Sequence, residues 1–436
     1  MKKYDAYKPS GVDWIGEVPK GWKVKRLKHV AKFINGFAFD SQDFKQESDI
    51  PVIRIGDIVD GGINSSNALF VKKDSSLNQF EIKKDDILLA MSGATVGKIG
   101  IVDNEEGYIN QRVGIIRYNN AKFMYYLLSD QKFMTYVLLT SLGSAQPNIS
   151  TESINNYPCI FPPLSEQTAI ANYLDDKCAK IDNVVAIQQK RIELLKELKQ
   201  SIITKAVTKG LDKNAKMKES GIEWVGEVPE GWEIDKLRYI GRYRKGPFGS
   251  ALKVSMFVPK GNNTIKVYEQ QNAIDKDWEL GEYYITKEYF YSDLSAFEVL
   301  PRDIIVSCAG TIGECYLMPD NIEKGIINQA LMRMRMNETR VYIPFFLFLF
   351  DILLKEESKI SSNGSAMKNI PPFDVLKAMK ISLPPLSEQT AIATYLNKKC
   401  AAIDRQIAKI DKQIELLKEY KQSVITECVT GKRKVC

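Results

Sequence analysis

The sequence is poor in the residues that build metal centres and covalent frameworks. Histidine occurs once, as His29, among 436 residues. The seven cysteines are odd in number and scattered, with no Cys-x-x-Cys pair, so they indicate neither a zinc knuckle nor a disulfide framework. His29 has no serine or cysteine partner identifiable in sequence, and we interpret it as a structural residue. We therefore expect a cytoplasmic protein that binds no metal.

Long apolar runs are also missing. The longest covers ten residues, 341–350, and contains Pro344, whereas about 20 residues are needed to span a bilayer. The start MKKYDAYKPSG lacks the apolar segment of a secretory signal, so we expect no membrane association. The net charge of +7 permits a polyanionic partner without requiring one. The length and an ordinary globular composition predict two or three domains.

Catalytic signatures are absent as well. Residues 92–99 read SGATVGKI and resemble a phosphate-binding P-loop, but the glycines are too close together and Ile99 replaces the Ser/Thr that would hold magnesium. The second half of the chain has Glu314 where this loop has Lys98. We interpret the loop as a turn between two strands. Residues 370–373 read Ile-Pro-Pro-Phe and lack the polar residue that begins an adenine-methyltransferase motif, so no catalytic set is predicted.

A long internal repeat organises the chain. Residues 162–182 read PPLSEQTAIANYLDDKCAKID and return at 384–404 with 17 of 21 positions identical, and the similarity continues through 192–208 and 414–430. A second repeated segment stands before each copy, SGVDWIGEVPKGW at 10–22 and SGIEWVGEVPEGW at 220–232. The two halves therefore share a frame.

The regions between these repeats differ. Similarity is reduced to short islands, which are GATVG at 93–97 against AGTIG at 309–313, INQ at 109–111 and 327–329, and GSAQPNI at 143–149 against GSAMKNI at 364–370. We read both regions, roughly 20–160 and 230–382, as mixed α/β. The predicted strands are 51–55, 86–90, 113–118 and 303–307, and the predicted helices are 122–139 and 343–359.

Each near-identical segment predicts one long helix. A Pro-Pro pair ends the preceding structure, a serine follows at the predicted N-cap, and a glutamate follows in the first turn, namely Ser165 with Glu166 and Ser387 with Glu388. No proline or glycine follows until Gly210 and Gly431. An unbroken helix of that length measures about 65 Å.

Apolar residues recur along both helices at four-three spacing. They are Ile403, Ile407, Ile410, Ile414, Leu417 and Val424 in the second copy, with Lys421 interposed, and Ile181, Val185, Ile192, Leu195 and Ile202 in the first, with Gln188 and Lys199 interposed. This pattern is typical of a coiled-coil seam. A lone helix would leave the seam in water, so we expect the two copies to pair with each other.

The chain resembles the specificity subunit of a type I restriction-modification system. Two duplicated motifs carry this resemblance, the helix start PPLSEQTAIANYL/PPLSEQTAIATYL and the lead-in GVDWIGEVPKGW/GIEWVGEVPEGW, and divergent regions lie between them. The resemblance covers nearly the whole chain. It implies a mixed α/β fold in which two pseudo-twofold-related target recognition domains are separated by a long antiparallel two-helix coiled coil. The domains are then 1–160 and 213–382, and the spacer helices lie in 161–212 and 383–436.

The same resemblance implies a function and partners. Each domain would read one half of a bipartite, asymmetric double-stranded DNA site, and a fixed spacer would set a fixed number of unread base pairs. Two methyltransferase subunits would dock on the spacer helices, and endonuclease/translocase subunits would join the complex. S-adenosylmethionine, ATP and magnesium would act on those partner subunits, and this chain would be non-catalytic. The alternative is a scaffold with a coiled-coil spacer whose two domains bind proteins rather than DNA.

Candidate DNA contacts follow from position on the loops between the predicted strands. Lys and Arg commonly contact phosphates, and Arg, Lys, Asn and Gln read base edges. In the first domain we predict phosphate contact by Lys98 and base contact by Arg112, Gln146 and Asn148. In the second we predict phosphate contact by Arg242, Arg244, Lys245 and Lys253 and base contact by Gln329, Lys368 and Asn369. For any single member the alternative is a solvated or turn-stabilising side chain.

Repeated residues on the helices and lead-in segments are candidates for assembly. Glu166, Gln167 and Leu174, with Glu388, Gln389 and Leu396, are predicted to contact partner subunits or the spacer itself, with a role in the core or in capping as the alternative. Four tryptophans recur at matching places and predict a shared packing role, with base stacking as the alternative; they are Trp14, Trp22, Trp224 and Trp232. The aromatic cluster in the second half, Tyr283, Tyr284, Tyr289, Phe290 and Tyr291, either shapes a surface or fills a core.

Overall fold

The chain packs as two compact units. A computed structural model describes residues 3–45, 49–59, 61–141, 147–361 and 370–435. Unit 1 comprises Met1–Arg191 and Lys409–Cys436, and unit 2 comprises Ile192–Ala408. Each unit therefore contains one of the two regions that differ between the halves, together with a part of both long helices, whereas the predicted boundaries follow the helix ends. No helix among the described residues is long and apolar enough to cross a membrane.

Unit 1 is mixed α/β. Its strands are β1 (Tyr7–Pro9), β2 (Glu17–Pro19), β3 (Lys23–Arg26), β4 (Lys32–Asn35), β5 (Ile50–Ile53), β6 (Ile58–Val59), β7 (Gly62–Ile63), β8 (Leu69–Val71), β9 (Ile87–Ala90), β10 (Ile99–Ile101), β11 (Tyr108–Ile109), β12 (Val113–Arg117) and β13 (Pro158–Phe161). Its helices are α1 (Ala121–Leu128), α2 (Gln131–Thr140), α3 (Thr151–Asn156) and the first part of α4 (Leu164–Lys209).

Two sheets form most of the α/β part of unit 1. A four-stranded antiparallel sheet has the order β10-β9-β12-β4, and a three-stranded sheet has the order β11-β5-β8 with β11 parallel to β5. Strand β9 reads ILLA and is buried throughout, as expected for a strand covered on both faces. The strands predicted in this region are confirmed. The single helix predicted over 122–139 is two helices in the structure, because the backbone is extended at Asp130 and interrupts it.

Unit 2 repeats this architecture. Its strands are β14 (Met217–Glu219), β15 (Glu227–Pro229), β16 (Glu233–Lys236), β17 (Gly241–Lys245), β18 (Thr264–Tyr268), β19 (Tyr284–Thr286), β20 (Glu298–Val299), β21 (Ile304–Ser307), β22 (Cys315–Leu317), β23 (Gly325–Ile327), β24 (Leu331–Met336) and β25 (Lys380–Leu383). Its helices are α5 (Gln270–Asp275), α6 (Lys287–Tyr289), α7 (Ile343–Ser361), α8 (Phe373–Ala378) and the first part of α9 (Leu386–Val429).

The four-stranded sheet of unit 2 matches that of unit 1 strand for strand, whereas its second sheet has one strand more. The four-stranded sheet has the order β17-β24-β21-β22, which is the order β4-β12-β9-β10 of unit 1. The second sheet has the order β19-β18-β23-β20, and its parallel pair β18 and β23 corresponds to β5 and β11. The strand predicted at 303–307 and the helix predicted at 343–359 are confirmed.

The two long helices begin two residues earlier than predicted. The carbonyl of Pro163 accepts the amide hydrogens of Glu166 and Gln167 at 2.9 and 3.0 Å, so the N-cap is Pro163 rather than Ser165. Pro385 does the same in α9, at 2.9 Å to both equivalent amides, and replaces Ser387 as the N-cap. The predicted glutamates do lie in the first turns.

Helices α4 and α9 run antiparallel within each unit. In unit 1, Asp182 of α4 bonds to Lys421 of α9 at 2.6 Å, and Tyr173 bonds to Arg433 at 2.9 Å. In unit 2, Lys199 of α4 bonds to Asp404 of α9 at 2.7 Å. The predicted seam is confirmed, because Ile181, Ile192, Ile403, Ile410, Ile414 and Val424 are buried. Lys421 and Lys199 interrupt it because each reaches outward to a carboxylate on the opposite helix.

The lead-in segments form matching hairpins. Strand β1 pairs with β2 in unit 1, and β14 pairs with β15 in unit 2. Trp22 and Trp232 follow these hairpins and are 1% exposed, which confirms a shared packing role for this pair. Trp14 is more exposed and stacks on Tyr157 with the ring centroids 5.6 Å apart.

Candidate nucleic-acid interface

The loop with a P-loop-like sequence is a turn between strands β9 and β10, as predicted. The two strands are antiparallel neighbours, and a short 3-10 helix at Gly93–Thr95 lies between them. Three backbone bonds position this turn, from Met91 N to Arg112 O at 2.9 Å, from Gly93 N to Pro147 O at 3.0 Å and from Ile149 N to Met91 O at 2.9 Å. The turn is thus hydrogen-bonded both to the segment that precedes β12 and to the segment that precedes α3.

Two predicted base-contact residues of unit 1 flank this turn. Arg112 and Asn148 are both exposed, and Asn148 forms a β-bridge with Ser92. Lys98 lies at the other end of the turn, where its carbonyl accepts a hydrogen bond from the amide of Ala90 at 2.9 Å. Gln146 lies outside the described residues. The structure therefore places three of the four predicted residues of unit 1 along one turn.

Unit 2 has an equivalent turn between β21 and β22. The amide of Cys308 bonds to Ala330 O at 2.8 Å, and the amide of Ile370 bonds to Cys308 O at 3.3 Å. The exposed Gln329 precedes Ala330. Lys245 acts electrostatically on the Cys308 thiol, although burial outweighs its effect and raises the pKa of that thiol to about 12. Gln329 and Lys245 thus adjoin the turn, while Lys368 and Asn369 lie outside the described residues.

A glycine fixes the segment beside each turn. A Cβ at Gly36 would lie 1.9 Å from the carbonyl oxygen of Asn110, and a Cβ at Gly246 would lie 1.8 Å from that of Asn328. Only glycine permits such close contact between backbones. Both asparagines belong to the repeated INQ triplets, so these triplets mark equivalent places in the two units.

This equivalence identifies a residue that the sequence predictions missed. Gln111 follows Asn110 in unit 1 as Gln329 follows Asn328 in unit 2, and both glutamines are exposed. The repeated triplet was the signal in the sequence that pointed to Gln111. The next positions are Arg112 and Ala330, so the two turns present different side chains from the same backbone frame.

Arg242 and Arg244 lie apart from the turn of unit 2. Both are exposed on the edge strand β17, and their side chains alternate with Tyr243, which packs on the apolar core of the unit. The two arginines therefore face away from that core, whereas Lys245 lies on the Tyr243 face near Cys308. Lys253 is exposed before a short 3-10 helix, Val254–Met256.

The aromatic cluster of unit 2 divides between core and surface. Tyr284 and Phe290 are buried, whereas Tyr283 and Tyr291 are exposed. The Tyr283 ring stacks on Phe257 with centroids 4.5 Å apart. Phe248 is the extreme case on the surface, since 89% of its area is exposed. Both interpretations offered for this cluster thus apply, to different members.

The six predicted spacer residues make contacts inside their own unit. Glu166 accepts from Trp22 Nε1 at 3.1 Å, and Glu388 accepts from Trp232 Nε1 at 3.0 Å. Gln167 bonds to Tyr118 at 2.9 Å, and Gln389 accepts from the amide of Tyr342 at 2.7 Å. Leu174 and Leu396 are fully buried in the cores of units 1 and 2. These positions favour the capping and core alternative, and contact with a partner subunit stays a prediction.

Other apolar side chains on the two helices face solvent. Leu194 and Leu198 of α4 are about half exposed, as are Leu416 and Tyr420 of α9. The pairs occupy the same positions of the repeat, one pair in each unit. Their recurrence at corresponding places makes these four residues candidates for a docking surface.

No group of three or more potential metal ligands occurs within the described ranges. His29 is exposed at the end of a short 3-10 helix, Leu27–His29. Both turns present a glutamine amide, and the turn of unit 1 adds the guanidinium of Arg112; such groups form hydrogen bonds with base edges.

Comparison with known proteins gives a consistent result. The family described as type I restriction modification DNA specificity domain matches residues 19–202 and 229–416. The putative type I restriction enzyme MjaX specificity subunit of Methanocaldococcus jannaschii is 27% identical over 434 residues, covering 97% of this chain and 96% of that protein. The EcoBI specificity subunit of Escherichia coli is 23% identical, covering 96% and 88% of the two chains.

Solved structures share the fold. A chain from a study of complex assembly and conformational transition of the type I R-M system superimposes with a TM-score of 0.71 at 16% identity, covering 94% of this chain and 98% of that one. The HsdS subunit from Thermoanaerobacter tengcongensis gives a TM-score of 0.51 at 18% identity, covering 95% and 98%.

Proposed function

Because the chain belongs to the type I restriction-modification DNA specificity family, we propose that it reads a bipartite, asymmetric double-stranded DNA sequence, with one half-site per unit. The observation that supports this proposal is the repeated turn beside the INQ triplet. The same backbone frame presents Gln111 and Arg112 in unit 1 and Gln329 and Ala330 in unit 2. Different side chains at equivalent places are what two different half-sites require.

The chain is a non-catalytic specificity subunit, and its partners perform the chemistry. We propose that two methyltransferase subunits dock on the helices and that endonuclease/translocase subunits join the complex. S-adenosylmethionine, ATP and magnesium then act on those partners. The repeated helix surface supports two equivalent docking sites, because Leu194 and Leu198 in unit 2 occupy the repeat positions of Leu416 and Tyr420 in unit 1. A cytoplasmic location accompanies this assignment as a prediction.

Selection from a random DNA pool tests the reading function. The chain together with its methyltransferase partner should enrich one split sequence with a constant gap. Substituting Arg112→Ala should relax only one half of the enriched sequence, and Gln329→Ala only the other, by about 1–3 kcal/mol for a lost bidentate base contact. Enrichment of no sequence would favour the alternative of a protein-binding scaffold. Enrichment of an undivided sequence would refute the bipartite proposal.

Native mass spectrometry tests the docking proposal. Replacing Leu194 and Leu198 by Glu should remove one methyltransferase subunit and leave one bound, because the matching surface of unit 1 is intact. The Leu416→Glu and Tyr420→Glu pair should give the same stoichiometry, and all four substitutions together should leave none. The double substitution Ile187→Glu and Val184→Glu is the control. Both residues are exposed on α4, and their counterparts in α9 are the polar residues Lys409 and Gln406, so this apolar pair is not repeated. Retention of two partners in the quadruple variant would refute this surface.

A further inference from the structure

One face of the β17–β24 pair in unit 2 carries four arginines. The register places Arg242 opposite Arg335 and Arg244 opposite Arg333. Residues directly opposite in an antiparallel pair project from the same face, so the four guanidinium groups share one surface. The facing pairs of unit 1 are Lys32 with Arg117 and Ile34 with Ile115. Unit 2 therefore has arginines at two positions where unit 1 has isoleucines.

One arginine of this face is fully paired in both units. Arg335 holds Asp303 with two hydrogen bonds of 2.7 Å each, and Arg117 holds Asp86 with bonds of 2.7 and 2.8 Å. Such bidentate pairs are the strong form of the guanidinium–carboxylate contact. This ion pair is common to both units, and in unit 2 it uses both carboxylate oxygens of Asp303.

Arg333 is buried without a complete set of partners. Its side chain is only 10% exposed, and its Nε lies 3.9 Å from Asp303, which is too far for a hydrogen bond. Nη1 donates to the carbonyl of Glu298, but no described residue accepts from Nε. The carboxylate of Glu298 pairs with Lys324 at 3.3 Å. Burial, with the positive charges of Arg335 and Arg244, lowers the pKa of Arg333.

Arg242 and Arg244 have no carboxylate partner among the residues that the structure describes. Arg244 instead has its guanidinium carbon 5.8 Å from the centre of the Phe297 ring. Three positive charges thus lie on or beside one exposed strand edge, and the carboxylate that pairs with Arg333, that of Asp303, lies 3.9 Å away and is hydrogen-bonded to Arg335 instead. A buried, incompletely paired charge destabilises the folded protein, so an anion that binds beside it is favoured twice, by attraction and by relief of that destabilisation.

We infer that Arg242, Arg244 and Arg333 form a phosphate-binding site that unit 1 lacks, and that a phosphodiester of the DNA backbone binds there. The inference rests on the proposed DNA reading. Arg242 and Arg244 contact the phosphate at the surface, and Arg333 acts from behind as a positioning residue that raises the local positive potential. Unit 2 then contributes more of the salt-dependent affinity, and unit 1 contributes relatively more through its base contacts.

The decisive variant gives Arg333 the residue that unit 1 has at the equivalent position. Arg333→Ile should raise the thermal unfolding temperature of the free protein and weaken DNA binding by about threefold to tenfold. If Arg333 only stabilised the fold, Arg333→Ile would lower the unfolding temperature instead. Arg335→Leu is the control, because it removes both guanidinium hydrogen bonds from the buried Asp303 carboxylate and should lower the unfolding temperature. A lower unfolding temperature with unchanged binding for Arg333→Ile would overturn the inference.

Salt dependence supplies an independent test with a variant at an exposed position. Arg244→Ile, again the residue of unit 1, should reduce the slope of log K against log salt by about 0.9 for one lost phosphate contact. The same substitution of Lys180, an exposed lysine of α4, should leave the slope unchanged. An unaltered slope for Arg244→Ile would overturn the site while sequence selection by the wild-type complex still supported the proposed function.

A third measurement separates DNA from free phosphate as the ligand. A duplex carrying the selected sequence should stabilise the wild-type protein more than inorganic phosphate does at the same ionic strength. Equal stabilisation by both, abolished in each case by Arg244→Ile, would overturn the assignment to a DNA phosphodiester. Absence of any selected sequence in the wild-type complex would refute the proposed function itself.

Discussion

The indole Nε1 of Trp22 donates a hydrogen bond to Oε2 of Glu166 over 3.1 Å, which ties the lead-in segment of unit 1 to the first turn of α4. The same indole lies close to Gly431, just beyond the end of α9, since a Cβ added at that glycine would lie 3.3 Å from the ring. Trp232 repeats both contacts in unit 2, with Glu388 and Gly210. Each tryptophan thus joins the start of one long helix to the end of the other.

Replacing Trp22 by Phe should destabilise unit 1 by about 1–3 kcal/mol, because the carboxylate of Glu166 loses a partly buried hydrogen bond. Urea unfolding measured by circular dichroism checks this. Trp14→Phe is the control and should change the free energy of unfolding less, since Trp14 is more exposed. Equal effects of the two substitutions would show that the bond to Glu166 contributes nothing.

Gly431→Ala should destabilise unit 1 by more than about 1 kcal/mol. Gly431 has φ +73°, and an added Cβ would lie 2.4 Å from the Pro19 ring. Gly21→Ala is a matched control, because a Cβ there meets nothing within 4 Å. Differential scanning calorimetry compares the two variants, and a wild-type transition in Gly431→Ala would contradict the close contact.

The seam between α4 and α9 should depend on its apolar residues more than on its ion pairs. Ile414→Ala should lower the free energy of unfolding by about 2–5 kcal/mol, because Ile414 is buried and its removal leaves a cavity. Lys421→Ala should cost about 1 kcal/mol or less, since its contact with Asp182 is solvent-exposed. A reversed order of the two effects in urea unfolding would contradict the coiled-coil interpretation.

Stability should fall between about pH 9 and pH 12, in part because of Cys428. Burial raises the pKa of this thiol from 9.0 to about 12 in the folded protein. Between these values the unfolded chain loses the proton while the folded chain keeps it, so unfolding becomes more favourable as pH rises. Cys428→Ala should reduce this slope by about 1 kcal/mol per pH unit. The same slope in wild type and variant, from urea unfolding at several pH values, would contradict a buried neutral thiol.

The predicted phosphate contacts at the two turns have a common signature. Lys98→Ala and Lys245→Ala should each weaken binding to all DNA sequences alike and reduce the slope of log K against log salt by about one. Gln111→Ala should leave that slope unchanged and relax one base of the selected site. Fluorescence anisotropy at several salt concentrations checks all three variants. A changed base preference in either lysine variant would assign that lysine to base contact instead.

The helices were predictable from sequence because their signals are local. The Pro-Pro pairs, the four-three apolar spacing and the terminal glycines gave α4 and α9 to within a few residues. The N-cap was misplaced because a serine is a stronger capping signal than a proline, although Pro163 and Pro385 occupy the cap. The β-rich runs were also recognisable, since each is a short apolar segment bounded by turn residues.

The site was only partly predictable, because its members are far apart in the chain. Arg112 and Asn148 were predicted separately, and the backbone bonds of Met91 show that they flank one turn. The arginines of unit 2 were read as one group, yet the alternation along β17 separates Arg242 and Arg244 from Lys245. Arg333 carried no signal in sequence, since an arginine in an alternating strand is ordinarily a surface residue.

The sequence by itself determined that the chain contains two copies of the same long helix and lead-in segment with two differing domains between them. Duplication and helical periodicity depend only on the order of residues. Only the tertiary structure decided which side chains share a surface. The pairing of strands and the close contact of backbones at Gly36 and Gly246 bring together residues that are tens of positions apart. Two chemically identical side chains then differ in their surroundings. Arg335 is hydrogen-bonded to Asp303, whereas the buried Nε of Arg333 has no hydrogen-bond acceptor among the described residues.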